Sequence, residues 1–346
     1  MLKNLETWAL TLAALVAAFV LIAFFILSTG NSPIEVFYSL YRGAFGSWFS
    51  WQNTLVRASP LMLTALCTAL PARAGLIVIG GEGAVVIGGL SAAMVGIALQ
   101  DNNAYVVIAA MVLASALSAG LWVAGTGALK YYRNVNETIS SLLMNYIAIA
   151  ILNFLIVGII KDPTTLNNPS TYPIGDANML GDIGNSSIHW GIFYGLIICL
   201  VMWLATKKRI FGFAIDVLGG NQRAARLVGL PVGKLLILSC FLGGAAAGIA
   251  GMIEVAAIHG RANDSLNAGY GYAGILVAFL ARHNPLAIIP FAILLGGIQA
   301  SGGLLQRAHD LPDATGSVIQ GIIFIVILAF EMLYGRFKIF LPKAVI

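Results

Sequence analysis

Residues 75–99 read GLIVIGGEGAVVIGGLSAAMVGIAL, with Glu82 as their single ionisable side chain. As a helix, about 20 apolar residues cover the roughly 30 Å hydrocarbon thickness of a bilayer. Nine more stretches share this apolar character: 8–27, 53–71, 104–129, 138–160, 188–206, 235–257, 270–281, 285–304 and 316–334. Residues 270–281 are too short to span unaided and read as half of a broken helix. The 346-residue chain is 59% apolar and 10% charged, against roughly 25% charged in a soluble domain. Its mean hydropathy is +0.91. No soluble fold hides that much apolar side chain. A lipid-embedded segment must satisfy its own backbone, so the expectation is an all-α polytopic membrane protein of about ten transmembrane helices. Residues 1–346 then form a single transmembrane domain embedded in a lipid bilayer.

Lys and Arg placement sets the orientation. Alternating the ten stretches from an inside N-terminus puts fourteen of the nineteen basic residues on one side: Lys3, Arg73, Lys130, Arg133, Lys207, Lys208, Arg209, Arg223, Arg226, Lys234, Arg282, Arg336, Lys338 and Lys343. Arg42, Arg57, Lys161, Arg261 and Arg307 fall on the other. Both termini are therefore expected in the cytoplasm, and the net charge of +5 follows topology and does not indicate a nucleic-acid partner. Trp8–Leu27 is too long for a signal h-region and reads as an uncleaved first span. Of the outer segments, 30–52 carries aromatics, among them Tyr38, Tyr41, Phe45, Trp48 and Trp51, and suits an interfacial helix. The longest, 161–187, fits a docking surface for an external protein and a passive linker equally well.

Several chemistries lack their residues. Cys67, Cys199 and Cys240 sit singly in apolar stretches, and His189, His259, His283 and His309 are scattered, so neither a disulfide framework nor a metal site is expected. Residues 269–274 fit GxGxxG without a preceding strand, and 229–235 resemble a phosphate loop one residue short and without its Ser/Thr. No nucleophile–base pair or carboxylate dyad stands out. The expectation is a protein that is not an enzyme, needs no cofactor, and leaves any ATP hydrolysis to a separate subunit.

Depth along the helices, at 1.5 Å per residue, separates the intramembrane glutamates. Glu254 is expected at the outer surface, about 29 Å along its span, and Glu331 near the inner interface. Glu82 lies about 10 Å from the cytoplasmic end, where a charge costs about 3 kcal/mol or more and faces a cavity or a partner. The glycines around it, Gly80, Gly81 and Gly83, fit a helix break or a very close helix contact. Asn145 lies at a similar depth and could hydrogen-bond to it. The run 268–274, AGYGYAG, echoes 74–80, and paired Gly-broken segments suggest an internal repeat with the solute route between its halves. Gly80, Gly81, Glu82, Gly83, Asn145, Tyr146, Gly271 and Gly274 are the candidate pathway residues.

Residues 216–231, DVLGGNQRAARLVGLP, read as a short capped helix in the most basic polar loop. Gly219 and Gly220 allow the chain to turn, Asn221 is the N-cap, and Gly229 and Pro231 stop the helix. Arg223 and Arg226 share a face, with the small Ala224 and Ala225 beside them. Two turns are marginal alone in water. A solvated basic loop and a docking helix both fit.

Residues 79–83 (IGGEG), 136–147 (NETISSLLMNYI), 220–229 (GNQRAARLVG) and 274–285 (GILVAFLARHNP) occur in this order. Together they resemble the membrane permease subunits of bacterial ABC importers for branched-chain amino acids, ribose and nucleosides, most nearly the longer permease of the nucleoside/simple-sugar branch. The resemblance covers about residues 55–335. It implies a type II-like ABC importer core in the bacterial cytoplasmic (inner) membrane and a coupling helix at Asn221, Arg223, Ala224, Ala225, Arg226 and Gly229. It also implies three partners: an ABC ATP-binding subunit, a second permease subunit of a different chain, and an extracytoplasmic solute-binding protein. Nucleosides or purine-like compounds are the implied solute, with a ribose-like sugar as alternative. An ion-coupled secondary transporter would need more buried ionisable groups than Glu82, and an integral-membrane enzyme would need clustered carboxylates or a nucleophile.

Overall fold

The computed structural model describes residues 2–165, 168–312 and 314–331, with side chains from Ala13 onward and without that of Glu331. The side chains of Lys3, Trp8 and Glu331, and all of Arg336, Lys338 and Lys343, lie outside the described set. Regular structure among the described residues is helical apart from two isolated β-bridges. In chain order the α-helices are α1 (Leu2–Ser28), α2 (Pro33–Phe45), α3 (Trp48–Arg73), α4 (Gly81–Ala98) and α5 (Ala104–Arg133). Then come α6 (Glu137–Val157), α7 (Gly191–Lys208), α8 (Ile210–Gly220), α9 (Gln222–Leu227) and α10 (Val232–Ile253). The last four are α11 (Tyr270–Leu280), α12 (Pro285–Ala300), α13 (Gly302–His309) and α14 (Thr315–Glu331).

Among the described residues seven helices are long and apolar enough to cross a membrane, or eight if the bent α1–α2 pair is one span. Each of the ten expected stretches holds a helix among the described residues, but three fall short of an independent span. The first is half of a pair bent by 110°, residues 270–281 form the 11-residue α11, and α14 has 17 described residues. Residues 210–220 form an apolar helix, α8, that the hydropathy pattern did not single out.

The chain divides into two compact units, one built from its ends (to Thr54 and from Gly297) and the other from Leu55–Gly296. In the first, α1, α2, α13 and α14 enclose a core of Ile22, Ile26, Val36, Leu305, Leu311 and Ile319. α2 buries Val36 and Ala44 and leaves Tyr38 and Tyr41 exposed, as an amphipathic segment would.

The second unit is centred on α4, α5 and α10. α10 carries small residues at Gly244, Gly248 and Gly251, a spacing that lets membrane helices approach backbone to backbone. Gly248 lies against the Ser115 carbonyl of α5 and against Gly88 of α4, leaving no room for a side chain. The helix then opens into a π-helical stretch, Glu254–His259. Segment 161–187 folds onto that end: Thr171 N–H donates to the Ala262 carbonyl (2.9 Å), Ile174 N–H to Gly260 (2.9 Å) and Leu180 N–H to Ala256 (2.8 Å). Glu254 is 2% exposed, 3.6 Å from His259 Nε2, and does not emerge at a surface as depth along the helix predicted. Helix rise measures position along an axis; it does not register what the rest of the chain packs around that end. Cys67, Cys199 and Cys240 are free and buried.

Candidate functional site

The expected span 75–99 is interrupted. Gly75 takes a left-handed φ of +82°, residues 76–79 run without helical structure, and α4 begins only at Gly81. The carbonyls and amides freed by this break are met mostly by α6, while Thr68 Oγ1 of α3 donates to the Val78 carbonyl (3.3 Å). On α6, Thr138, Ser141 and Asn145, three and four residues apart, line one helical face. Thr138 Oγ1 donates to the Ile77 carbonyl (2.9 Å) and Ile79 N–H to Ser141 Oγ (3.0 Å). Asn145 Nδ2 donates to the Ile79 carbonyl and its Oδ1 accepts from Gly83 N–H, both at 2.8 Å. In a bilayer an unsatisfied backbone group costs several kcal/mol, so this stripe is what makes the break tolerable. α6 begins at Asn136, whose side chain accepts from Thr138 and Ile139 N–H.

Glu82 faces a second helix beginning. α11 starts after Gly269, left-handed at φ +83°, and Glu82 accepts from Gly269 N–H (2.7 Å, Oε1) and Gly271 N–H (2.6 Å, Oε2). The carboxylate thus occupies the first turn of α4 and the unpaired N–H groups of α11, where helix dipoles favour negative charge. It is fully buried. The expected Asn145–Glu82 hydrogen bond is not among the observed contacts: Asn145 bonds to backbone groups of the break, and Glu82 to those at the start of α11. Gly271 sits against the Glu82 amide with no room for a Cβ, and Gly81 reaches back to Gly271. Gly80 lies against Ser141, Gly83 against Asn145, and Gly274 against Thr64 on α3. The candidate glycines mediate close backbone contact. Of the eight expected pathway residues Tyr146 is the open one, at 60% exposure. Tyr272, not singled out from the sequence, is 40% exposed and lies near Asn145.

The capped helix lies in α8–α9. Asn221, extended at φ −160°, accepts from Arg223 N–H (2.9 Å) and Ala224 N–H (3.1 Å). Gly229 is left-handed at φ +79°. Leu230 N–H returns to the Ala225 carbonyl and Gly229 N–H to Arg226, both at 3.0 Å, the paired bonds of a Schellman stop. Gly219 and Gly220 do not form the turn: they are the last residues of α8, and the chain bends at Asn221. Arg223, Ala224 and Arg226 are exposed, whereas Ala225 is buried against its own chain. Leu227 and Val228 stand 89% and 69% exposed, so the helix presents apolar as well as basic groups. A cleft of about 350 Å³ beside it is lined by Tyr131, Arg226, Leu230 and Lys234 among others.

The fold and these two sites define a class: a polytopic helical membrane protein whose helices break inside the apolar layer. Residues 50–328 match the family described as the branched-chain amino acid transport system permease component, and the chain belongs to that family. It is 28% identical to the guanosine ABC transporter permease protein NupP of Bacillus subtilis, over 98% of this chain and 99% of that one. It is 27% identical to the nucleoside ABC transporter permease protein NupB of Lactococcus lactis subsp. cremoris, over 96% and 93%. The glucose ABC transporter permease protein TsgB13 of Haloferax volcanii is 25% identical over 89% and 83%. This chain is a membrane transport permease.

Proposed function

We infer that the chain is one permease subunit of an ATP-driven importer for nucleosides or purine-like compounds in the bacterial cytoplasmic membrane. Its near end-to-end similarity to guanosine and nucleoside permeases carries this reading. The N-terminus and α9 face the cytoplasm in this scheme, following the Lys/Arg bias. There α9 docks on a separate ATP-binding subunit, its Leu227, Val228 and Arg226 offering an apolar tip flanked by charge. A solute-binding protein docks on the opposite face and a second permease subunit, a different chain, completes the route. The solute passes the junction of α4, α6 and α11, where Tyr146 and Tyr272 offer aromatic faces to a planar base. Glu82 holds the walls of that junction and contacts no solute. Both its oxygens are engaged by backbone amides, which also argues against an ion-shuttling carboxylate. The similarity to a glucose permease supports a sugar as the second reading.

The test is uptake by proteoliposomes containing both permeases and the ATPase, supplied with the binding protein. Labelled guanosine should accumulate only with ATP hydrolysis, and excess unlabelled glucose should not compete. Glucose uptake without guanosine uptake selects the sugar reading; uptake without ATP removes the importer reading.

A further inference from the structure

The end of α8 is fastened to the end of α3. Arg73, the last residue of α3, donates from Nε and Nη2 to Asp216 Oδ1 (3.0 and 2.8 Å) and from Nη2 to Oδ2 (2.7 Å). A guanidinium–carboxylate fork fixes angle as well as distance. Beside it the two backbones touch, with Gly219 so close to the Arg73 carbonyl and to Gly75 that a side chain at 219 would overlap them. On one side of this contact α8 runs into α9 through Asn221 alone. On the other, Gly75 leads into the non-helical residues that α6 pins, and these lead to Gly81 and Glu82. Glu82 in turn grips α11. A displacement of α9 therefore meets a short, continuous series of fixed backbone contacts ending at the helix break.

We propose that Arg73 and Asp216 are positioning residues that transmit movement of α9 to the Glu82 junction. The proposal rests on the reading of α9 as the helix docked on the ATPase. Asp216 is 54% exposed and Arg73 15%. Partly exposed pairs add little to stability, so separating them should leave the fold standing while loosening the mechanical link. A pair serving the fold alone would show the reverse.

The test uses the assembled transporter in proteoliposomes, with guanosine uptake and ATP hydrolysis read together. Arg73→Glu and Asp216→Arg should each assemble with the ATPase chain and lose at least fivefold in guanosine moved per ATP hydrolysed. The charge-swapped double variant should return to within twofold of the unaltered protein. Singles that keep the original ratio overturn the proposal, as does a double variant no better than its singles. Should the charge reversals fail to assemble, Asp216→Asn keeps the side-chain shape and is expected to show the same loss; an unchanged ratio overturns the proposal equally. An Arg223→Ala/Arg226→Ala variant separates the two levels. If it leaves coupling intact, the α9 reading fails; if it uncouples while Asp216→Asn does not, only the strut fails.

Discussion

Glu82 shows what a single buried charge needs. Its two oxygens meet two N–H groups at the start of α11, so charge-assisted hydrogen bonds offset part of the desolvation. Glu82→Gln supplies one acceptor and one donor to a pair of donors, leaving a buried N–H unpaired at a cost of about 1–3 kcal/mol. The expected outcome is a melting temperature lower by a few degrees in detergent and at least tenfold less uptake; unchanged uptake would remove Glu82 from the transport route altogether. Asp162, in the loop between α6 and α7, offers a pH-dependent counterpart. Thr164 donates to its carboxyl through backbone N–H (2.9 Å) and hydroxyl (2.7 Å), and with Arg261 nearby these bonds hold it below the usual carboxylate range. An opened loop binds the proton more readily, so the stabilisation is fully present above the ordinary value near 3.8 and disappears as pH falls through the lower folded value. Protection of the 164, 165, 168, 170 and 171 amides, taken relative to intrinsic exchange at each pH, should therefore fall only in strong acid, and Asp162→Asn should abolish that loss.

Among elements, α9 is the most economical. Six helical residues cannot sustain themselves by propagation, so its two ends decide its order. Removing the cap with Asn221→Ala should cost about 1 kcal/mol. Gly229→Val, forced into a left-handed backbone, should cost about 1–2 kcal/mol. Exchange of the 222–228 amides should rise in both variants, most in the double, with uptake per ATP falling in the same order. If exchange rises and coupling does not change, α9 has no part in driving transport. α6 is the complementary case, a span whose polar stripe serves a neighbour's backbone. Asn145→Leu leaves the Ile79 carbonyl and Gly83 N–H without their partner and should lower stability more than Tyr146→Ala, which removes an exposed ring. In uptake Tyr146→Ala should instead raise the guanosine KM.

At the scale of the molecule, stability rests on backbone approach among α4, α5 and α10. A methyl at Gly248 would press on the Ser115 carbonyl and Ala119, and overpacking of this kind costs about 1–3 kcal/mol. Gly248→Ala should reduce the monodisperse fraction after heating in detergent. Gly321→Ala in α14, where nothing lies within 4 Å of the added carbon, should be neutral or stabilising by up to about 1 kcal/mol. A similar loss for both would mean that general glycine content, not the α4–α5–α10 contact, sets the stability.

Seven of the ten apolar stretches as spanning helices, and how α9 begins and ends, were legible in the residues themselves. Transfer into lipid depends on local composition, and helix caps act within four residues of their own backbone. Asn221 and Gly229 therefore do in space what they promise in sequence. The partners of Glu82, Asn145 and Arg73 were not legible, because they lie 187, 62 and 143 residues away. The stripe Thr138, Ser141 and Asn145 could have been noticed as a polar helical face, yet its target, the broken backbone at 76–80, exists only once the chain has folded. Glu254 marks the same boundary: its depth followed from helix rise, but its burial is set by what the rest of the chain packs around it. Desolvation and backbone pairing of this kind are settled between distant segments, and only the tertiary structure brings those segments together.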